Sequence, residues 1–275
     1  MSTDFEEPGD ITGVTHAKIN EFPWIVRLGS TKKDIISIDY QGSIISPNYV
    51  ITSGYCVHDK TKEKLFCVVG VNDLNKYSTG KEGMKLKVKD IIMHEEYAEH
   101  ATGILNNIAL IKLAHPLNLG KCGVDAIKLP PEGSGYCGKT ATVAGWGMNR
   151  ITLQNGKLMK RKLRIHTKKK CRTFMKNKLY EKNSLLYVTM NSAPSCYGDT
   201  GGSLMVKNSK GNFELAGIVS FGPIANMCIC ENEKPCLAGC YYVNVEHYLD
   251  WIKQNTAGET YLWGESPFTW LINNI

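Results

Sequence analysis

Thr200 stands in the run Cys196-Tyr197-Gly198-Asp199-Thr200-Gly201-Gly202-Ser203-Leu204, a hydroxyl between an acid and two glycines. A hydroxyl becomes a nucleophile only when a base takes its proton. Two further segments hold the side chains to compare with that requirement: Thr52-Ser53-Gly54-Tyr55-Cys56 and Asn107-Ile108-Ala109-Leu110-Ile111-Lys112-Leu113. Tyr55 offers a phenol with an ordinary pKa of about 10, so roughly one molecule in 10³ is ionised at neutral pH. Asn107 offers a carboxamide, which has no charge with which to hold a cationic base. The extra methyl of Thr200 crowds a tight turn, and known threonine nucleophiles use an N-terminal amine. No useful nucleophilic catalysis is expected from this set, and Thr200 as a residual peptidase nucleophile is the weaker alternative.

Metal chemistry is not expected either. Cys228-Ile229-Cys230 with Cys236 and Cys240 lacks a clean C-x-x-C pair. His94-Glu95-Glu96-Tyr97-Ala98 has Ala98 where a zinc-protease helix needs its second His. No cofactor is implied. The ten cysteines suit a disulfide-bonded, secreted, extracellular protein. The opening Met1-Ser2-Thr3-Asp4-Phe5-Glu6-Glu7 has no signal-peptide character, so a removed signal or a cytosolic protein are the two options, and the cysteines favour the first. No apolar run reaches the roughly 18 residues of a membrane span.

The elements that would position these residues read as strands. Trp24–Leu28, Gly42–Ile45, Tyr49–Thr52, Thr140–Ala144 and Leu215–Val219 are short apolar runs rich in β-branched residues, separated by Gly, Pro, Asn and Asp. Their number and spacing predict an all-β sandwich or barrel. Tyr248, Trp251 and Ile252 fall at helical spacing and predict a closing helix over about Val245–Asn255. The expected organisation is an acidic arm (1–10), one domain (11–256) and an aromatic extension (257–275) that packs on its own domain or docks a partner.

Seven segments in order resemble the chymotrypsin-like serine proteases. The three above resemble the family's T-A-A-H-C, D-I-A-L-I-K-L and C-x-G-D-S-G-G-P-L blocks. Ile11-Thr12-Gly13-Val14 through Phe22-Pro23-Trp24, Thr142-Val143-Ala144-Gly145-Trp146-Gly147, Gly217-Ile218-Val219-Ser220-Phe221-Gly222 and Tyr248-Leu249-Asp250-Trp251-Ile252 complete the series. The resemblance implies two six-stranded antiparallel barrels, a cleft between them and a C-terminal helix. It places Tyr55 at the base His, Asn107 at the orienting Asp and Thr200 at the nucleophilic Ser. In these enzymes themselves, Asp to Asn lowers turnover by about 10⁴. Gly198 and Thr200 take the oxyanion-hole positions, and Pro194, Ser220, Phe221, Gly222 and Cys240 line the specificity pocket. Pro194 stands where trypsin-like enzymes carry Asp, so basic-residue specificity is not expected. The family orders this loop when a cleaved N-terminus pairs with the Asp before the nucleophile, here Asp199. Asp10 precedes Ile11 where a basic residue is usual, which points to an uncut, zymogen-like chain. Val71 replaces an acidic ligand of the trypsin calcium loop.

The resemblance also implies rewired cysteines. Tyr40 stands where the partner of Cys56 is expected, which leaves Cys67 as the nearest alternative. Ala141 and Val206 occupy both ends of a lost bridge. Cys196 is expected to pair with Cys228 or Cys230, with Cys171 taking the other. Cys122–Cys137 and Cys236–Cys240 complete the set.

From Arg150 to Tyr180 there are twelve Lys or Arg and no Asp or Glu. Lys157, Lys160, Arg161, Lys162, Arg164, Lys168, Lys169, Lys170 and Arg172 are therefore a candidate patch for an acidic protein or a heparin-like polyanion, rather than nucleic acid. The resemblance extends to arthropod serine-protease homologues and to inactivated mite paralogues. It implies a secreted binder of a protein partner, such as a cascade protease or complement component. A structural or secretory-fluid role is the alternative.

Overall fold

The computed structural model describes residues 14–32, 35–100, 103–146, 156–166, 184–190, 199–221, 238–256 and 259. After β1 (Val14–His16), the first half supplies β2 (Ile25–Lys32), β3 (Ile35–Ile44), β4 (Tyr49–Thr52), β5 (Leu65–Val69), β6 (Met84–Met93), the β7–β8 hairpin (Ala98–His100, Gly103–Leu105) and β9 (Ala109–Leu113). Six of these close an antiparallel barrel in the order β2-β3-β4-β9-β6-β5. The strands β4 and β9 bury nearly every residue and are apolar except at Thr52 and Lys112. By contrast β6 alternates, with Lys85, Lys87 and Lys89 exposed between Leu86 and Val88. That is the period-2 signature of a sheet with one face in water.

The second half supplies β10 (Thr140–Gly145), β11 (Met159–Ile165), β12 (Leu185–Met190), β13 (Ser203–Lys207), β14 (Phe213–Phe221) and β15 (Ala238–Asn244). They follow the order β11-β10-β13-β14-β15-β12, and β12 pairs back with β11 to close a second barrel, with β1 added at β11. The two six-stranded barrels are those expected from the sequence.

Each barrel has its own apolar interior, and a third cluster joins them. Ile45, Ile51 and Phe66 of the first barrel share it with Met205, Leu215, Ile218 and Val243 of the second. Each fully buried aliphatic side chain of this kind stabilises the fold by about 1.5–3 kcal/mol. Phe22, Trp24 and Phe213 meet at ring-centroid distances of 5.6–6.0 Å across the join.

The closing segment begins as a 3₁₀ turn, Val245–Tyr248, and becomes the α-helix only at Leu249–Asn255. Val245, Tyr248, Leu249, Trp251 and Ile252 are buried, so the expected spacing is correct while the first turn is tighter. The Trp251 indole donates to Glu95 at 3.0 Å, its ring stacks on His94 at 5.3 Å, and the Tyr248 hydroxyl donates to Asn106 at 2.9 Å. The helix therefore braces the segment that ends at Asn107.

Two expected bridges do not form: Cys56, Cys67, Cys122 and Cys137 are all unpaired. Cys56 and Cys67 lie buried in the first barrel, where burial pushes their thiols up to about 11 and about 12. Cys240 is disulfide-bonded. Cys171, Cys196, Cys228, Cys230 and Cys236 lie outside the described residues. Ala141 and Val206 both lie in the apolar cluster of the second barrel.

Candidate functional site

Tyr55 and Asn107 meet by a hydrogen bond, and the Thr200 carbonyl lies 3.5 Å from the Sγ of Cys56, next to Tyr55. Tyr55 lies on a short 3₁₀ turn, Gly54–Cys56, directly after β4. Asn107 directly follows Asn106, whose φ of 44° is a left-handed conformation that Asn tolerates well. Thr200 precedes Gly201 at the entry to β13. A Cβ on Gly201 would collide with the Gln41 carbonyl and the Thr52 hydroxyl, and φ there is +83°, so only glycine fits.

Asn107 is 1% exposed and fully engaged. Its Oδ1 accepts the Tyr55 backbone N–H at 2.8 Å, and its Nδ2 donates to the Ser220 hydroxyl at 2.7 Å. A carboxylate here could only accept. The carboxamide keeps the same two neighbours but reverses the direction of the Ser220 bond. Asn107 thus ties the 3₁₀ turn of the first barrel to β14 of the second.

The Tyr55 side chain is 36% exposed. Its ring meets Tyr40 edge-on at 6.1 Å and stacks against His58 at 5.4 Å. His58 in turn stacks on Tyr97 at 6.0 Å. The His58 Nδ1 donates to the Tyr55 carbonyl at 2.9 Å, since a carbonyl can only accept, and its Nε2 faces Glu99 at 3.4 Å. The Tyr97 hydroxyl donates to the same Glu99 carboxylate at 2.7 Å. Burial and the Glu99 charge push the Tyr97 phenol well above its ordinary value. An aromatic stack therefore occupies the rim where a catalytic imidazole would sit. His58, Tyr97 and Glu99 were not singled out from sequence. The only hint was His58 one turn after Tyr55.

Asp199 is 5% exposed, and its carboxylate accepts from the Gln41 side-chain amide. The Gln41 backbone N–H donates to the Thr200 carbonyl at 2.9 Å. The pocket positions are partly visible: Ser220 and Cys240 are buried on β14 and β15, and Phe221 ends β14. Pro194, Gly198 and Gly222 lie outside the described residues, as does the Asp10–Ile11 bond.

Among the described residues, the basic run does not form one surface. On β11 the side chains alternate: Lys162 and Arg164 are exposed, while Arg161 points inward and is 7% exposed. Lys160 is neutralised by Glu21, with both contacts at 2.6–2.7 Å. Lys157 is exposed just before the strand. Lys168, Lys169, Lys170 and Arg172 lie outside the described residues. The charge count could not see a period of two, which sends neighbours to opposite faces.

In place of the trypsin calcium loop, Glu82 accepts the Asn72 and Asp73 backbone N–H groups at 2.9 and 3.0 Å and pairs with the Lys76 ammonium at 3.1 Å. The ammonium supplies the positive charge that the carboxylate faces. No cluster of metal-ligating side chains occurs among the described residues.

Two closed barrels with a cleft at their join define a chymotrypsin-like protein. The trypsin family model matches residues 11–252, and the chain belongs to that family. Phenoloxidase-activating factor 3 of Holotrichia diomphalia is 31% identical over 262 residues, covering 89% of this chain and 72% of the relative. CLIP domain-containing serine protease B4 of Anopheles gambiae is 28% identical over 265 residues, covering 89% and 70%. Inactive CLIP domain-containing serine protease A8 of the same mosquito is 28% identical over 256 residues, covering 89% and 67%. The relatives thus include proteins named as proteases and one named as inactive.

Proposed function

We propose that this chain is a secreted pseudoprotease that acts by binding a protein partner in a protease cascade. The observation that carries the reading is the engagement of Asn107 by the Tyr55 backbone and Ser220, with the Tyr55 ring turned into a stack with His58. Proton transfer from a nucleophile needs a base of matched pKa within hydrogen-bond reach. The Tyr55 ring instead lies in the stack with His58, and Asn107 has no charge with which to hold a cationic base. Relatives named as a phenoloxidase-activating factor and as an inactive CLIP-domain protease support a non-catalytic place in such a cascade. The disulfide at Cys240 supports an oxidising, extracellular compartment. Lys157, Lys162 and Arg164 offer an exposed basic edge for an acidic partner surface, a complement component or a heparin-like polyanion.

The test is incubation of the disulfide-intact protein with a serine-reactive phosphonate probe and a mixed peptide library, beside an active enzyme of the same fold. No labelling and no cleavage are expected. The combined change Tyr55→His, Asn107→Asp and Thr200→Ser is expected to gain labelling, because the frame around the three positions is retained. Cleavage by the unaltered chain that disappears on Thr200→Ala would overturn the reading.

A further inference from the structure

Gln41 is fully buried at the end of β3, in the first barrel, yet its side-chain amide crosses the join to bond the Asp199 carboxylate in the second. Glycines make the crossing possible. A Cβ on Gly145 would strike both the Asp199 carboxylate and the Gln41 amide nitrogen, and one on Gly202 would lie 3.0 Å from Gln41 Oε1. The Gln41 backbone holds the same turn a second time, through the Thr200 carbonyl at 2.9 Å. The Gly201 and Gly202 N–H groups then bond Val219 and Asp199 carbonyls at 2.9 and 2.8 Å.

Tyr242 lies near enough to Asp199 to feel its charge. Tyr242 of β15 is buried, and burial together with the Asp199 charge raises its phenol pKa while the Arg161 guanidinium draws it down. Arg161 faces inward from β11 and is itself buried, so desolvation holds it below its ordinary value. A buried carboxylate needs a hydrogen-bond donor. Gln41 supplies one from within the folded barrels.

We propose that Gln41 is a built-in partner for Asp199 that takes the role the family gives to a cleaved N-terminal amine. The turn bearing Thr200 is then set in the uncut chain. The proposal stands whether or not the cleft catalyses, because it concerns the conformation of residues 199–202 alone.

The test uses the full chain with Glu7→Ile, Pro8→Glu and Asp10→Arg, which write a factor Xa site ending just before Ile11. Cut and uncut forms are compared by thermal melting and by amide hydrogen exchange at Gly201 and Gly202. The expected result is the same midpoint and the same exchange in both forms. In the uncut chain, Gln41→Leu, which keeps the volume and removes the donor, is expected to speed exchange at these two amides by about tenfold or more. Ile51 and Ile111 in the first barrel are expected to exchange as before. A cut form that melts higher and protects Gly201 and Gly202 would overturn the proposal, as would unchanged exchange in Gln41→Leu. The cut and uncut comparison decides the matter even if the Gln41 variant does not fold, because it leaves Gln41 in place.

Discussion

Asn107 shows how one buried carboxamide can tie two barrels together. Its two hydrogen bonds join segments 52 and 113 residues away in sequence. Asn107→Ala is expected to lower stability by about 2–3 kcal/mol, since it leaves a buried N–H and a buried hydroxyl without their partner. Asn107→Asp should cost less than half of that, because Ser220 can turn its hydroxyl to donate. Denaturant midpoints of the two variants check this, and equal losses would mean the bonds are not what matters. The cysteines make a second point at this scale. Cys56 and Cys67 are buried with raised pKa values, whereas Cys122 is exposed. Thiolate and access together set reactivity. Iodoacetamide on the native protein should modify Cys122 first and reach Cys56 and Cys67 only after unfolding, as read by peptide mass mapping.

At the level of elements, carboxylates pin irregular segments to the barrels. Burial raises the Glu21 pKa, but the Lys160 ammonium and the Lys18 N–H outweigh it and hold the carboxyl below its ordinary 4.5. Burial likewise opposes, and the Asn72 and Asp73 N–H groups with Lys76 overcome, in the case of Glu82. A carboxyl whose pKa is lower in the folded state stabilises fully above its unfolded value and loses that contribution as pH falls through the folded one. Stability should therefore be level above about pH 5 and decline below pH 4.5. The double variant Glu21→Gln, Glu82→Gln should show a shallower decline. Thermal melts across pH 3–7 are the measurement. The strand β11 carries the other lesson at this scale. Its four basic residues look like one patch in sequence and divide into two exposed, one paired and one buried.

Over the whole molecule, the barrels are joined by an apolar cluster and by polar bonds through Asn107 and Gln41. The exposed part of the basic edge, Lys157, Lys162 and Arg164, is small, so attraction to a polyanion should be weak and screened by salt. Lys162→Glu with Arg164→Glu is expected to advance elution from a heparin column to lower salt without shifting the melting midpoint. Unchanged elution would move the polyanion site to other residues.

The sequence by itself determined the two-barrel fold. Strands announce themselves by local apolar runs and turn residues, and the motif spacing around Tyr55, Asn107 and Thr200 survives the substitutions. It also located the closing helix through Tyr248, Trp251 and Ile252. Only the tertiary structure decided where hydrogen bonds and charges go. Gln41 and Asp199 are 158 residues apart, and no local pattern marks a glutamine that will cross between barrels. The stacking of Tyr55 with His58 and of His58 with Tyr97 depends on two loops meeting, as does the inward turn of Arg161 against Tyr242. The expected Cys56–Cys67 and Cys122–Cys137 bridges do not form for the same reason. A bridge needs its two Cβ atoms within about 4.5 Å, and that distance exists only once the barrels have closed.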